Sequence, residues 1–293
     1  MTRVLVVLAL VGTLVVTLLG RVAGADTLTV GLFAPSAPFP STAARVELAS
    51  KLGDHLGKAL GGAGVGHVYA RAGDFAAAVK KGDVAVALVD ASYLAAAGGN
   101  FTILATTGDV GWQLVAKGGG QGMKIAALKG KRVLVPTNGG READFVLNVM
   151  LGGEVARDFF AKVEVAPDTA STLAALGLGK ADAAVVPVGV ELPAGVGQVL
   201  ALPTLPGPVL VAYGAADKRA QLATAAASFH GDATIAALHP GDSEAVRAIS
   251  HRFAVPVKRG PLAVPAVRLL VGDLVEGRTF TLERTPVTAF ATK

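Results

Sequence analysis

From Thr27 onward, short apolar runs alternate with stretches whose apolar residues recur every three to four positions, the signature of strands alternating with amphipathic helices. Residues 27–33 form the first β-rich run. A proline-rich turn over 34–40 leads into a helix that Ser41 or Thr42 can cap. In that helix Leu48, Leu52, Leu56 and Leu60 stand four residues apart and mark the core face, while Glu47/Lys51 and Asp54/Lys58 form i,i+4 pairs elsewhere. The next elements are a strand at 68–70, a helix capped by Asp74 that stops at Gly82, and a continuous apolar run at 84–89. Such a run suits a strand buried on both faces. Strands at 101–107 and 112–116 follow, with a polar joint between them.

The middle of the chain repeats the scheme. Strands are expected at 131–135, 163–166 and 183–188. Helices are expected at 138–151, stopped by Gly152 and Gly153, and from the cap Asp168 to near Gly177. Lys81-Gly82-Asp83-Val84-Ala85-Val86 and Gly179-Lys180-Ala181-Asp182-Ala183-Ala184-Val185 both run from a helix end through Gly and Asp into an apolar strand. The match points to two lobes of similar build, against the alternative of a chance likeness. Residues 209–213 make a late strand, 217–229 and 243–252 two helices, and 279–282 with 287–290 a terminal hairpin. The expected architecture is α/β, two-lobed, with mixed, mostly parallel sheets and helices on their faces. Residues 26–108 open lobe 1, 109–205 form lobe 2, and 206–293 return to lobe 1 and extend beyond it. The crossings fall near 107–110 and 202–208, where Pro203, Pro206 and Pro208 stiffen the return. A two-crossing hinge of this kind closes over a ligand.

The amino terminus reads as an address. Met1 to Arg3 is a basic head, residues 4–20 are apolar, and Ala23-Gly24-Ala25 forms a cleavage signal ahead of Asp26. A cleaved signal peptide over 1–25 is expected; the alternative is an uncleaved anchor, for which the apolar stretch is short against the roughly 20 residues of a span. The chain has no cysteine, so the cleavage site has none to carry lipid, and the mature protein is expected free in a periplasm.

Composition narrows the classes. The 293 residues are 52% hydrophobic with 37 glycines and no cysteine, which excludes disordered, collagen-like and disulfide-stapled chains. Charged residues are 17% and aromatics 5%, which disfavours a nucleic-acid binder. Without Arg3 and Arg21 the 27 basic residues become 25 against 22 acids, a net +3. That excess is too diffuse to name a partner.

Candidate ligand residues follow strand ends, where such sheets place their sites. Thr137, Asn138, Gly139 and Gly140 lie between a strand and a helix. Their backbone N–H groups and the helix start can hold an oxyanion, or the segment is an ordinary capped turn. Asp90, Ser92 and Tyr93 follow the buried run and can bind a polar head, or Asp90 or Ser92 merely caps the next helix. Ser36, Phe39 and Thr42 after the first strand can form the opposing wall, and the lone Trp112 lines the cleft or packs the hinge. The five histidines show no metal spacing. No nucleophile-and-base motif stands out. Neither a cofactor nor a metal is expected.

The order of parts over 27–229 resembles the phosphate/phosphonate-binding family of periplasmic solute-binding proteins, the receptors of ABC transporters. The likeness rests on Gly31-Leu32-Phe33-Ala34-Pro35-Ser36-Ala37-Pro38, on Gly82-Asp83-Val84-Ala85 through Asp90-Ala91-Ser92-Tyr93-Leu94, and on Leu128-Lys129-Gly130-Lys131-Arg132-Val133 followed by Thr137 to Gly140. The resemblance implies a two-lobed periplasmic-binding-protein fold, a small-molecule ligand, a permease partner in the inner membrane and a monomer without enzymatic activity. The chain departs from the family in carrying Thr137-Asn138 where adjacent Ser and Thr hydroxyls are usual, and Val89-Asp90 in place of Gly-Pro. An oxyanion such as phosphate or a phosphonate is the first expectation. A hydrophobic ligand such as a sterol is the alternative, since Ala34, Pro35, Ala37, Pro38, Phe39, Ala91, Leu94 and Trp112 are apolar. Burying about 300 Å² of such a guest at roughly 25 cal/mol/Å² contributes about 7 kcal/mol before association costs.

Overall fold

The computed structural model describes residues 27–254 apart from 121, 215–217 and 242. The leader expected at 1–25 and the hairpin expected at 279–290 lie outside the described residues. No described helix is long and apolar enough to cross a membrane.

Lobe 1 is built on a six-stranded sheet, ordered β11-β4-β10-β3-β1-β2. Its strands are β1 (Leu28–Phe33), β2 (Gly64–Val68), β3 (Val86–Asp90), β4 (Thr102–Thr106), β10 (Pro208–Ala212) and β11 (His239–Pro240). Lobe 2 is built on five strands, ordered β7-β6-β8-β5-β9. They are β5 (Asp109–Lys117), β6 (Arg132–Pro136), β7 (Lys162–Ala166), β8 (Ala183–Pro187) and β9 (Val196–Pro206). In each sheet the strands joined through helices pair in parallel: β1 with β2 and β3, and β6 with β7 and β8. The strands on the crossing side, β4, β5, β9, β10 and β11, pair antiparallel. The antiparallel share is larger than helix-strand alternation alone implies. A chain that leaves a lobe and later returns must run back beside its own strands.

Helix α1 (Thr42–Ala59) starts where Ser41 accepts the Ala44 N–H at 3.1 Å. Leu48, Leu52 and Leu56 are fully buried, so truncating any of them to Ala costs about 2–5 kcal/mol. Leu60 closes the helix half-buried. The helix also lies hard against β2: a Cβ on Gly53 would stand 2.6 Å from the Gly66 nitrogen, and one on Gly57 2.2 Å from that of Gly64. That contact sets the second strand at Gly64–Val68 instead of 68–70. Helices α2 (Ala72–Lys81) and α3 (Ala91–Ala97) follow. Asp74 sits in the first turn of α2 without capping it.

In lobe 2 a helical turn α4 (Glu142–Asp144) continues as a π-helix over Phe145–Met150. The expected start at Asn138 is thus four residues early. Helix α5 (Thr169–Gly177) is capped by Asp168, which accepts the Ser171 N–H at 2.7 Å. Strand β9 was not anticipated, because Pro203 and Pro206 lie within it; as the edge strand of its sheet it tolerates them. Helix α6 (Arg219–Ala227) covers lobe 1, and α7 (Ser243–Ala254) contributes Val246, Ile249 and Phe253 to an apolar cluster shared by both sheets.

The crossings form a paired ribbon. Thr107 donates its N–H to the Pro208 carbonyl at 3.0 Å and Gly207 donates to Gly108 at 2.7 Å.

Candidate interlobe site

The carboxyl ends of β1 and β3 lie side by side, Phe33 against Val89, and carry the lobe 1 wall. Asp90 makes no side-chain cap bond to α3. Its Oδ2 instead accepts the Ser36 N–H at 2.8 Å, and its Oδ1 is buried without a partner. Burial pushes the carboxyl up to about 6, held from going further by the Ser36 N–H and the Arg45 charge. Ser92 is buried beside it. The Tyr93 ring is buried edge-on to Phe33, with centroids 4.8 Å apart, and to Phe75 at 5.8 Å; burial raises its phenol.

The lobe 2 wall is the turn after β6. Gly139 and Gly140 take φ of +77° and +96°, conformations in which a side chain is strained. Glu142 reaches back into this turn: one carboxylate oxygen, Oε1, accepts the Asn138 N–H at 2.7 Å, the Gly140 N–H at 3.1 Å and the Thr137 hydroxyl at 3.3 Å. These are three of the donors the sequence offers to an oxyanion. Asn138 is 2% exposed, and neither its amide nitrogen nor its amide oxygen has a partner.

The two walls meet. A Cβ on Gly139 would stand 2.7 and 2.9 Å from carbons of the Tyr93 ring. Thr169 donates its N–H to the Pro35 carbonyl at 3.0 Å and its hydroxyl to the Ser36 carbonyl at 2.7 Å. Arg45 of α1 pairs with Asp168 at 2.8 Å, lies 5.5 Å from the centroid of the Phe39 ring, and keeps a buried Nε without a partner. Toward the hinge the seam opens into a cavity of about 290 Å³ whose lining includes Ser36, Pro38, Thr107, Pro187, Ile235 and His239.

The seam therefore brings together Ser36, Phe39, Tyr93 and the glycine turn. Thr42 is exposed as the first residue of α1. Trp112 packs edge-on to Phe145 at 5.3 Å within the shared apolar cluster. Sequence reasoning missed Arg45, Thr169 and Glu142. For Glu142 a signal existed: a carboxylate two residues past a Gly-Gly turn can fold back onto it. Arg45 and Thr169 meet partners more than 120 residues away, and no local spacing announces that. Among the described residues no three His, Cys, Asp or Glu side chains gather as a metal site would require.

The two-sheet fold is similar to solved structures of binding proteins. PhnD1 from Prochlorococcus marinus (MIT 9301), in complex with methylphosphonate, superposes with a TM-score of 0.62 over 78% of this chain and 97% of its own, at 13% identity. The chain has the periplasmic binding protein fold. A binding-protein component of an ABC phosphonate transporter from Pseudomonas aeruginosa is similar at a TM-score of 0.59 and 12% identity, over 77% of this chain and 85% of its own. XAC2383 from Xanthomonas citri, bound to ATP, reaches 0.59 at 13% identity, over 78% and 97%. One periplasmic-binding-protein architecture thus carries guests as different as methylphosphonate and ATP, so the fold alone does not choose the ligand. No protein-family model and no curated protein sequence matches the chain.

Proposed function

We propose that this chain is the exported, non-enzymatic solute-binding component of an ABC-type transporter, closing its two lobes over a small polar guest and presenting it to a permease in the inner membrane. The observation that carries the reading is a set of buried, unpartnered polar atoms on both sides of a hinged seam: Asp90 Oδ1 and Arg45 Nε from lobe 1, and both amide atoms of Asn138 from lobe 2. An unmet polar group costs about 1–3 kcal/mol, and a guest that satisfies it recovers that cost on closure. Arg45 and Asn138 offer N–H donors, while Asp90 and Asn138 offer acceptors, so the guest carries both an anionic oxygen and an O–H or N–H of its own. A singly protonated phosphonate or phosphate has that chemistry, and the methylphosphonate complex of the similar P. marinus protein supports it.

Titration calorimetry of the purified chain with phosphate, methylphosphonate and a lipid panel tests this. Saturable heat is expected with an oxyanion. Heat with lipids alone would overturn the polar guest in favour of a second reading, a small apolar ligand in the hinge-side cavity, where Ala37, Pro38, Val110, Pro187 and Ile235 supply apolar lining.

A further inference from the structure

Four strands end the two sheets: β2 and β11 in lobe 1, β7 and β9 in lobe 2. An outer strand presents unpaired N–H and C=O groups, and proteins that stay apart guard such edges with charge, proline, bulges or shortness. Three of the four are guarded. β11 is two residues long and ends in Pro240. β7 carries Lys162 and Glu164, paired at 3.5 Å. β9 contains Pro203 and Pro206, and its register with β5 breaks twice. β2 has no proline, acid, lysine or arginine, and its register with β1 is unbroken. The Leu28 N–H donates to the Ala63 carbonyl at 2.9 Å and the Tyr69 N–H to the Leu32 carbonyl at 3.0 Å. The odd-numbered residues of β2 therefore serve β1, and the N–H and C=O groups of Gly64, Gly66 and Val68 point outward. Among the described residues nothing hydrogen-bonds to them.

We propose that this edge is an interface between two copies of the chain, β2 of one pairing antiparallel with β2 of the other about a two-fold axis at Gly66. The edge fits itself. With Gly66 opposite Gly66 of the second copy, Val65 of one chain stands beside His67 of the other on the face away from α1, where such pairs touch. Val65 is 53% exposed, and His67 is exposed too. On the other face Gly66 lies hard under α1, where a Cβ would collide with the Ala49 carbonyl. At 100° per residue Val46 and Ser50 fall beyond the Ala49–Gly53 line, on the side of α1 away from Leu48, Leu52 and Leu56, so they flank the edge. Both are exposed. Further round the helix, exposed Glu47, Lys51, Asp54 and Lys58 read acid, base, acid, base. The two-fold axis runs the helices antiparallel, which turns Glu47 toward Lys58 and Lys51 toward Asp54 of the other copy. A second copy supplies these matches by symmetry, whereas an unrelated strand must supply each one separately. An edge of five residues is small beside a permanent interface, so the dimer is reversible and depends on concentration. It departs from the monomer that the family resemblance implies.

Sedimentation velocity of the purified chain across about a hundredfold range of concentration is expected to show monomer passing into dimer. Val65→Lys places a charge on the edge and is expected to weaken association at least about tenfold. Circular dichroism melts check that the variant is folded, as the exposure of Val65 leads one to expect. Because the chain has no cysteine, introduced cysteines report the register. A mixture of Val65→Cys and His67→Cys chains is expected to cross-link on mild oxidation faster than either variant alone, since the axis sets position 65 beside position 67 and not beside its own copy. A wild type that stays monomeric throughout overturns the inference and leaves the edge, at most, to a strand of another protein. So does a dimer that Val65→Lys leaves intact, because its contact lies on another surface. A dimer whose cysteine mixture cross-links no faster than the single variants overturns the antiparallel pairing at Gly66.

Discussion

Arg45 and Asp168 face each other across the seam, guanidinium nitrogen to carboxylate oxygen at 2.8 Å, one on the first helix of lobe 1 and the other capping a helix of lobe 2. Both side chains are mostly buried, 16% and 17% exposed, so the pair escapes much of the screening that makes surface ion pairs nearly worthless. It clasps the two lobes together as they stand.

Arg45→Met keeps the apolar stem that packs near Phe39 and removes the charge. It is expected to cost about 1–2 kcal/mol, a fall of about 2–4 °C in melting midpoint per kcal/mol for a chain of this size. Solution scattering should report a larger radius of gyration. For Asp168, burial would raise the carboxyl, but the Ser171 N–H and then Arg45 outweigh it and hold the group below its ordinary value of 3.8. A depressed acid contributes stability that is present above its unfolded value and lost as pH falls through the folded one. The clasp is therefore intact at neutral pH and fails only below about pH 4. A variant whose radius and midpoint match wild type from pH 5 to 8 would show that the pair does not hold the lobes.

How much of this was legible depends on distance along the chain. Helix α5 reads directly from Asp168 to Gly177, since an N-cap side chain and its N–H partner are three residues apart. The buried strands β3 and β8 are visible because burial on both faces leaves no polar residue to interrupt them. Strand β2 is harder to see because Gly64 and Gly66 carry no side chains to alternate; only the closeness of Gly53 and Gly57 explains them. Strand β9 is hidden by prolines that an edge position permits. The site follows the same rule. Asp90, Tyr93 and the glycine turn stand at strand ends, where sequence can nominate them, whereas Arg45 and Thr169 acquire their roles only when the lobes meet.

Asp90 predicts a trade between stability and binding. Its carboxyl is raised to about 6 chiefly by burial, so the folded state takes up a proton more readily than the unfolded chain. The resulting penalty is fully present above about pH 6 and is relieved as pH falls toward 4. A displacement of about two units is worth roughly 3 kcal/mol as an upper figure. Asp90→Asn keeps an oxygen for the Ser36 N–H and removes the charge. The variant should melt at least about 3 °C above wild type at pH 8, with the gap narrowing to about half at pH 5, while guest affinity falls because the acceptor is weaker. Equal midpoints at both pH values would mean that Asp90 is not held against its charge.

Gly139 tests the meeting of the walls. Alanine there is strained by the positive φ and pushes its Cβ into the Tyr93 ring from the other lobe. A cost of about 1–3 kcal/mol is expected. Only the part due to the clash should return in Gly139→Ala/Tyr93→Ala, read as the coupling term of a double-mutant cycle. Strict additivity of the two losses would place the ring elsewhere in solution.

The paired crossings give the most direct handle on the proposed closure. Gly207 lies in the return crossing, donates to Gly108 at 2.7 Å, and leaves no room beside the other strand: a Cβ would stand 2.6 Å from the Thr107 hydroxyl and 3.0 Å from both the Gly108 oxygen and a Val110 methyl. Gly207→Ala must therefore turn the Thr107 side chain away and spread the ribbon, at a cost of about 1–3 kcal/mol. Adding Thr107→Ala removes the nearest of the three obstacles, so the double variant should recover part of the loss, the backbone and Val110 contacts holding back the rest. The ribbon runs between the lobes, with Pro208 the register partner of Asp90, so weaker guest binding in the single variant, partly restored in the double, would assign the effect to the fit of the ribbon and of the Asp90 wall it borders. If Gly207→Ala binds and melts as wild type, the crossing strands bend freely enough that their pairing places no constraint on closure.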